Sequence, residues 1–137
     1  MPPLPWTKPT GTDATHDEVV VMASLLRLDS IRHVPGFLRA AMSIRRQVLL
    51  SDGALGVSLN TALPRTFFTL SAWRDRETLN AFVRSDPHVS SMRRYRTAMG
   101  DARFVFWSTT ADKLPPSWEE AQQRLRELPT PTPEEAT

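Results

Sequence analysis

The chain has 137 residues, no cysteine and a formal net charge of +2. That length suits one domain with a substantial core, and the missing thiols exclude disulfides, thiolate nucleophiles and cysteine metal centres. No apolar run approaches the roughly 18 residues of a membrane span, and the opening MPPLPWTKPTGTD lacks the apolar stretch of a signal peptide, so a cytoplasmic protein is expected.

Residues 1–17, with four Pro, four Thr and one Gly, read as a flexible or extended arm. Val19 to Leu28 follows as a strand: three consecutive Val start it, and its near-continuous apolar character predicts burial on both faces. From Val34 to Leu50 the apolar positions Val34, Phe37, Leu38, Ala41, Ile44, Val48 and Leu49 trace one helical face, with Arg39, Arg45 and Arg46 mainly beside or opposite it. Pro35 suits the first turn and Ser51-Asp52-Gly53 the stop.

Ala54 to Asn60 predicts a short strand whose one side, Gly56, Ser58 and Asn60, is small enough to leave space above it. After a Pro64 hairpin link, Thr66 to Trp73 predicts a central strand, with Phe67, Thr69, Ser71 and Trp73 on one face and Thr66, Phe68, Leu70 and Ala72 on the other. Asp75 caps a helix through Val83. Asp86 and Pro87 start another from His88 to Met99, ended by Gly100. Arg103 to Thr109 is the last core strand, and Trp118 to Leu128, capped by Ser117, is an added helix. PTPTPEEAT reads as a disordered tail.

The order β-α-β-β-α-β is the ferredoxin-like α+β plan. It predicts an arm at 1–17, a ferredoxin-like domain at 18–110, a helical extension at 111–128 and a tail at 129–137. Two helices cover one face of such a sheet, and the other face is still apolar. A second copy of the chain is the expected cover, closing a dimeric α+β barrel; the C-terminal helix or the Pro-rich arm is the alternative.

Charge is uneven. Fifteen of the 17 basic residues are Arg, and residues 19–110 carry a net +7 between acidic ends. No nucleic-acid recognition motif accompanies them, so no nucleic-acid partner is expected. Arg27, Arg65 and Arg103, near strand ends, are positioned to neutralise an anionic substrate or simply to solvate the fold.

His88 leads the chemistry. It shares a helix face with Met92, Tyr95 and Met99, so it points inward as a proton acceptor, a ligand anchor or a haem ligand, or as a buried histidine bonding a carbonyl. Asn60, Thr69, Ser71, Trp73 and Tyr95 supply amide, hydroxyl and aromatic groups for a planar ligand, and Phe67, Met92, Phe104 and Phe106 supply apolar walls. His16, His33 and His88 lie in three elements without metal-ligand spacing, so no metal is expected. There is no phosphate-cradling Gly motif.

The stretch Thr66-Phe67-Phe68-Thr69-Leu70-Ser71-Ala72-Trp73, then Asp75, Leu79, Phe82 and Pro87-His88 through Met92, resembles the antibiotic biosynthesis monooxygenase-like superfamily of dimeric α+β barrels; Gly53 to Leu59 and Gly100 to Trp107 extend the likeness over about residues 19–109. A looser likeness is to spheroidene monooxygenase, a haem-dependent carotenoid oxygenase. The resemblance implies a homodimer with sheets face to face and a pocket between each sheet and its helices. Some members oxidise polycyclic aromatics with O₂ and no cofactor. Others hold haem through a helix histidine, isomerise, form lactones, or have no known activity. For this chain it implies a small oxygenase of secondary metabolism acting on an aromatic or polyene substrate. No cofactor is expected, with haem on His88 the alternative. His88 is then the general base or anion-stabilising donor, Trp73 and Phe67 form aromatic walls, Asn60 or Ser71 orients a substrate oxygen, and Tyr95 supports His88. A cyclase, isomerase or dehydratase in the same pocket, or a binding dimer without chemistry, are the rivals.

Overall fold

A computed structural model describes residues 4–8, 18–62 and 64–127. Five antiparallel strands form one sheet: β1 (Leu4–Thr7), β2 (Glu18–Leu28), β3 (Ala54–Ala62), β4 (Thr66–Trp73) and β5 (Met99–Thr110), in the order β1-β3-β4-β2-β5. The helices are α1 (Val34–Leu50), α2 (Arg76–Val83), α3 (His88–Tyr95) and α4 (Trp118–Arg126). Strands β2 to β5 with α1 to α3 make the expected ferredoxin-like plan, and α4 is the expected added helix.

Local chemistry sets the boundaries. Gly53, at φ 81°, makes the left-handed turn into β3. Asp75 accepts the Thr78 amide at 2.8 Å and starts α2; Ser117 accepts the Glu120 amide at 3.0 Å and starts α4. The helix expected to run to Met99 ends at Tyr95, gives one 3-10 turn over Arg96–Ala98, and releases Met99 to pair with Leu28. Strand β5 is thus longer than periodicity implied, because a full partner strand was available to it.

The sheet is apolar on both faces, as the patterns of β2 and β4 predict. On the helix face, Met22, Val57 and Trp73 pack with Val48, Leu79 and Phe82. A second cluster joins Leu26, Leu28 and Phe67 to Phe37, Tyr95 and Ala98, with Phe37 edge-on to Phe67 at 4.9 Å and to Tyr95 at 5.2 Å. On the opposite face, Val19, Val21, Ala23, Leu70, Ala72 and Trp107 pack against Ala121 and Leu125 of α4.

Two expectations change here. Within the stretch read as a flexible arm, Leu4–Thr7 is an edge strand on β3, and the Trp6 indole lies flat over Gly56, where a Cβ would come within 2.1 Å of it. The space above the small face of β3 is therefore filled from within the chain. Likewise, α4 and Trp6, from the two segments named as the alternative cover, shield one half of the face for which a second copy was the expected cover. The other half, at Leu25, Phe68 and Val105, is only partly buried. Residues 9–17, the rest of the arm, and the tail from 128 onward lie outside the described residues.

Candidate functional site

A narrow cavity of about 50 Å³ lies between the sheet and helices α1 to α3. Its floor is a row of residues in register: Ser24 on β2 is opposite Thr69 on β4 and Phe104 on β5, and Thr69 is opposite Leu59 on β3. Phe67, Ser71, Met22, Leu26 and Val57 extend the floor, and Phe37, Ala41, Ile44, Val48, Phe82 and Met92 form the roof. Most of the lining is apolar. The exceptions are three hydroxyls, one imidazole and one guanidinium.

The hydroxyls are all partnered. Ser24 and Thr69 hydrogen-bond each other, and the Trp73 indole donates to Ser71 Oγ at 2.9 Å. Ser71 then keeps its own hydrogen for a group in the cavity it lines.

His88 is buried against Phe82, with ring centroids 4.9 Å apart, and it lines the cavity. Its Nδ1 is 3.1 Å from the Val83 carbonyl. A carbonyl only accepts, so Nδ1 carries the hydrogen and Nε2 is the basic nitrogen. Burial holds the imidazole below its ordinary pKa of 6.5, outweighing the opposite pull of the Val83 carbonyl. At neutral pH the ring is therefore an uncharged base. Gln47 fixes its backbone: Gln47 Oε1 accepts the His88 amide at 2.8 Å, while Nε2 donates to the Phe82 and Ser85 carbonyls at 3.2 and 3.3 Å.

Arg45 is the residue that sequence reasoning set outside the site. On a helical wheel it lies only about 40° from Ala41, so it shares the inward face and lines the cavity. One Nη donates to Thr7 Oγ1 of β1 at 2.9 Å, and Nε is enclosed with no partner among the described residues. Gln47, two residues on, sits about 200° further round the helix. Arg45 and the Gln47–His88 pair thus flank α1 on opposite sides, with the apolar roof between them.

Of the other expected site residues, Phe67, Thr69, Ser71, Met92 and Phe104 line the cavity; Trp73, Asn60, Tyr95 and Phe106 do not. Trp73 is fully buried in the core beside Phe82 and reaches the site only through Ser71. Asn60 stands opposite Phe68, on the face away from the helices, and its Oδ1 accepts the Thr61 amide at 2.9 Å. Tyr95 packs on Phe37 and its hydroxyl lies beside Gly36. Phe106 is 37% exposed on the edge strand, with Arg76 stacked 4.0 Å from its ring. Strand parity put Trp73 and Phe106 on the correct face but could not say which part of that face the helices leave open.

Haem does not fit this arrangement. The anchored His88 has the form of an axial ligand, but the cavity is too narrow for a porphyrin. Among the described residues no three His, Cys, Asp or Glu side chains gather as a metal site, and no helix is long and apolar enough to cross a membrane.

The fold is that of the antibiotic biosynthesis monooxygenase-like proteins. A candidate antibiotic biosynthesis monooxygenase from Nitrosomonas europaea superposes with a TM-score of 0.63 at 13% identity, over 74% of this chain and 95% of that one. A second candidate monooxygenase of this type, from Deinococcus radiodurans, gives 0.59 at 14% identity over 64% and 89%. SnoaB, a cofactor-independent oxygenase from Streptomyces nogalater, gives 0.55 at 12% identity over 72% and 98%, in a variant form. No curated protein matches the sequence. One family model, described as a domain of unknown function, DUF3291, matches residues 9–136, and the chain belongs to that family.

Proposed function

We propose that the protein is a small oxygenase of secondary metabolism, working in the cytoplasm as a homodimer, that oxidises a slim phenolic or polyene molecule with O₂ and no resident cofactor. One observation carries the reading: an uncharged, anchored imidazole and a guanidinium with no carboxylate partner among the described residues, its Nε enclosed and unbonded, line the same apolar cavity. Such a pair suits a reaction that makes an anion in a dry site. The fold shared with a cofactor-independent oxygenase supports the same reading.

For a phenol, the steps balance without an external reductant. His88 Nε2 takes the hydroxyl proton, the Ser71 hydroxyl donates to the phenolate, and Arg45, on the far side of the roof, adds positive charge at longer range. The electron-rich ring passes one electron to O₂, and the two radicals combine at a ring carbon as a peroxide anion, whose outer oxygen later takes the proton on that carbon and leaves as hydroxide. Cleavage of the O–O bond with loss of the proton on that carbon leaves a quinone; His88 returns its proton to the departing hydroxide as water. One phenol and one O₂ give one quinone and one water.

At about 50 Å³ the cavity is smaller than the roughly 150 Å³ that takes a benzene ring, so its roof must shift to admit substrate. The test is O₂ uptake by the purified chain with a panel of one-ring phenols, with ¹⁸O₂ tracing one atom into the product. His88→Gln is expected to lower turnover by about 10²- to 10⁴-fold, the usual contribution of a positioned base. Turnover that survives His88→Gln intact would remove the assignment. A rearranged product formed without O₂ uptake would move the site to proton-transfer chemistry alone.

A further inference from the structure

The cavity has a charged neighbour. An open cleft of about 1010 Å³ runs along the end of the sheet beside α3, and Met92 and Phe104 form walls of both spaces. Five arginines line the cleft, Arg27, Arg65, Arg93, Arg96 and Arg103, against two carboxylates, Asp29 and Asp101. Three of these arginines stood out in the sequence only as separate strand-end charges; the fold collects them.

Their partners are unevenly distributed. Arg103 is paired with Asp101 at 3.2 Å, and Arg65 donates to the Asp29 carbonyl at 2.9 Å. Arg27 donates to the Thr66 hydroxyl at 3.3 Å, a neutral group. Arg27, Arg93 and Arg96 are exposed and have no carboxylate partner among the described residues. Like charges around one concave surface repel, and a concave surface concentrates their field. Leu28, Val89 and Met99 make the remaining wall apolar.

We infer that the cleft and the cavity form one amphiphile site, in which the arginines hold a phosphate-ester head and the apolar tail passes Met92 and Phe104 toward His88. A phosphate group offers three acceptor oxygens at up to two negative charges, which suits the two free guanidinium forks of Arg93 and Arg96, with the other arginines adding positive field, better than a single carboxylate does. This inference rests on the cavity as the substrate site and adds the chemical class of the substrate: a soluble molecule with an apolar body and a phosphorylated end.

The experiment measures calorimetric binding of decyl phosphate, decanol and inorganic phosphate to the full chain, and to an Arg93→Gln/Arg96→Gln double variant whose changes are exposed. Decyl phosphate is expected to bind at least tenfold more tightly than decanol or phosphate alone. The double variant should lose about tenfold or more of the decyl phosphate affinity and leave decanol unchanged. Equal affinity for decyl phosphate and decanol, or no loss in the double variant, overturns the inference while leaving the cavity reading in place. Failure of both apolar ligands to bind overturns the two together. Tighter capture of phosphatidylglycerol vesicles or duplex DNA than of decyl phosphate, lost in the same variant, would assign the arginines to a membrane surface or a nucleic acid and overturn the inference.

Discussion

His88 joins two properties that pull against each other, and pH separates them. Its Nε2 must be unprotonated to act as a base, and burial favours that state by holding the pKa below 6.5. Activity is therefore expected to persist into mildly acidic solution, with one acidic limb whose midpoint lies below 6.5; kcat/KM against pH checks this, and a midpoint above that value would contradict it. The same group sets a stability slope. As pH falls through 6.5 the unfolded chain takes up a proton at His88 that the folded chain still refuses. Stability is thus complete above that pH, falls by at most about 1.4 kcal/mol per pH unit below it, and levels off beneath the folded pKa. His88→Gln should flatten this part of the denaturation-versus-pH curve. His88 was legible in the sequence because Pro87 fixes a helix start and the spacing to Met92 fixes a face. Arg45 was not, because a charge at the shoulder of an apolar stripe is assigned to solvent unless an uncovered part of the sheet lies beneath it. Trp73 and Asn60 carried the right chemistry in the wrong place: one was consumed by packing, the other faces away from the helices.

At the level of elements, the strand β1 links fold to site through a single glycine. Gly56 leaves room for the Trp6 indole, Trp6 keeps β1 on the sheet edge, and Thr7 on β1 receives Arg45. A methyl group at position 56 would meet the ring at 2.1 Å from Cζ2, so Gly56→Ala must displace either Trp6 or the strand. The expected cost is about 1–3 kcal/mol, as for other overpacked sites, measured by urea unfolding. Because Arg45 loses Thr7, catalytic turnover should fall as well, with His88 unchanged. A variant as stable and as active as the original would show that β1 contributes nothing to either. The sequence offered a clue to this arrangement in the small side chains of β3, but not to its occupant. Four prolines in the first seventeen residues argue for an extended arm, and an edge strand is the one sheet position where extended, donor-poor backbone is tolerated. By contrast, β3 to β5 and α1 to α3 were legible because each has a period that only one kind of element satisfies, and β2 because its three consecutive Val favour an extended backbone.

For the whole molecule the question is how the face opposite α1 to α3 is shielded. Two-sided apolar strands made it clear that something must cover it, but periodicity cannot choose between a second copy and a later segment of the same chain. Here the answer is divided. α4 packs against β2 and β5, with Ala121 and Leu125 almost fully buried at 0% and 2% exposure, and Trp6 covers Gly56. Leu25 and Phe68, which are register partners, remain partly exposed beside Val105. A homodimer must then use this remaining half and leave α4 in place, a smaller contact than two fully apposed sheets would give. The full chain is expected to sediment at twice its 15.5 kDa at micromolar concentration. Phe68→Glu and Val105→Glu, each placing a charge in the patch, should return it to the single-chain mass with the circular dichroism of the original. Removal of residues from 115 onward should instead expose Val19, Val21, Leu70 and Ala72, all buried in the intact chain, and drive association to larger species. A full chain that sediments as a monomer, with its mass unmoved by either charge, would mean that α4 and Trp6 shield enough of the face by themselves and that the cavity works within one subunit.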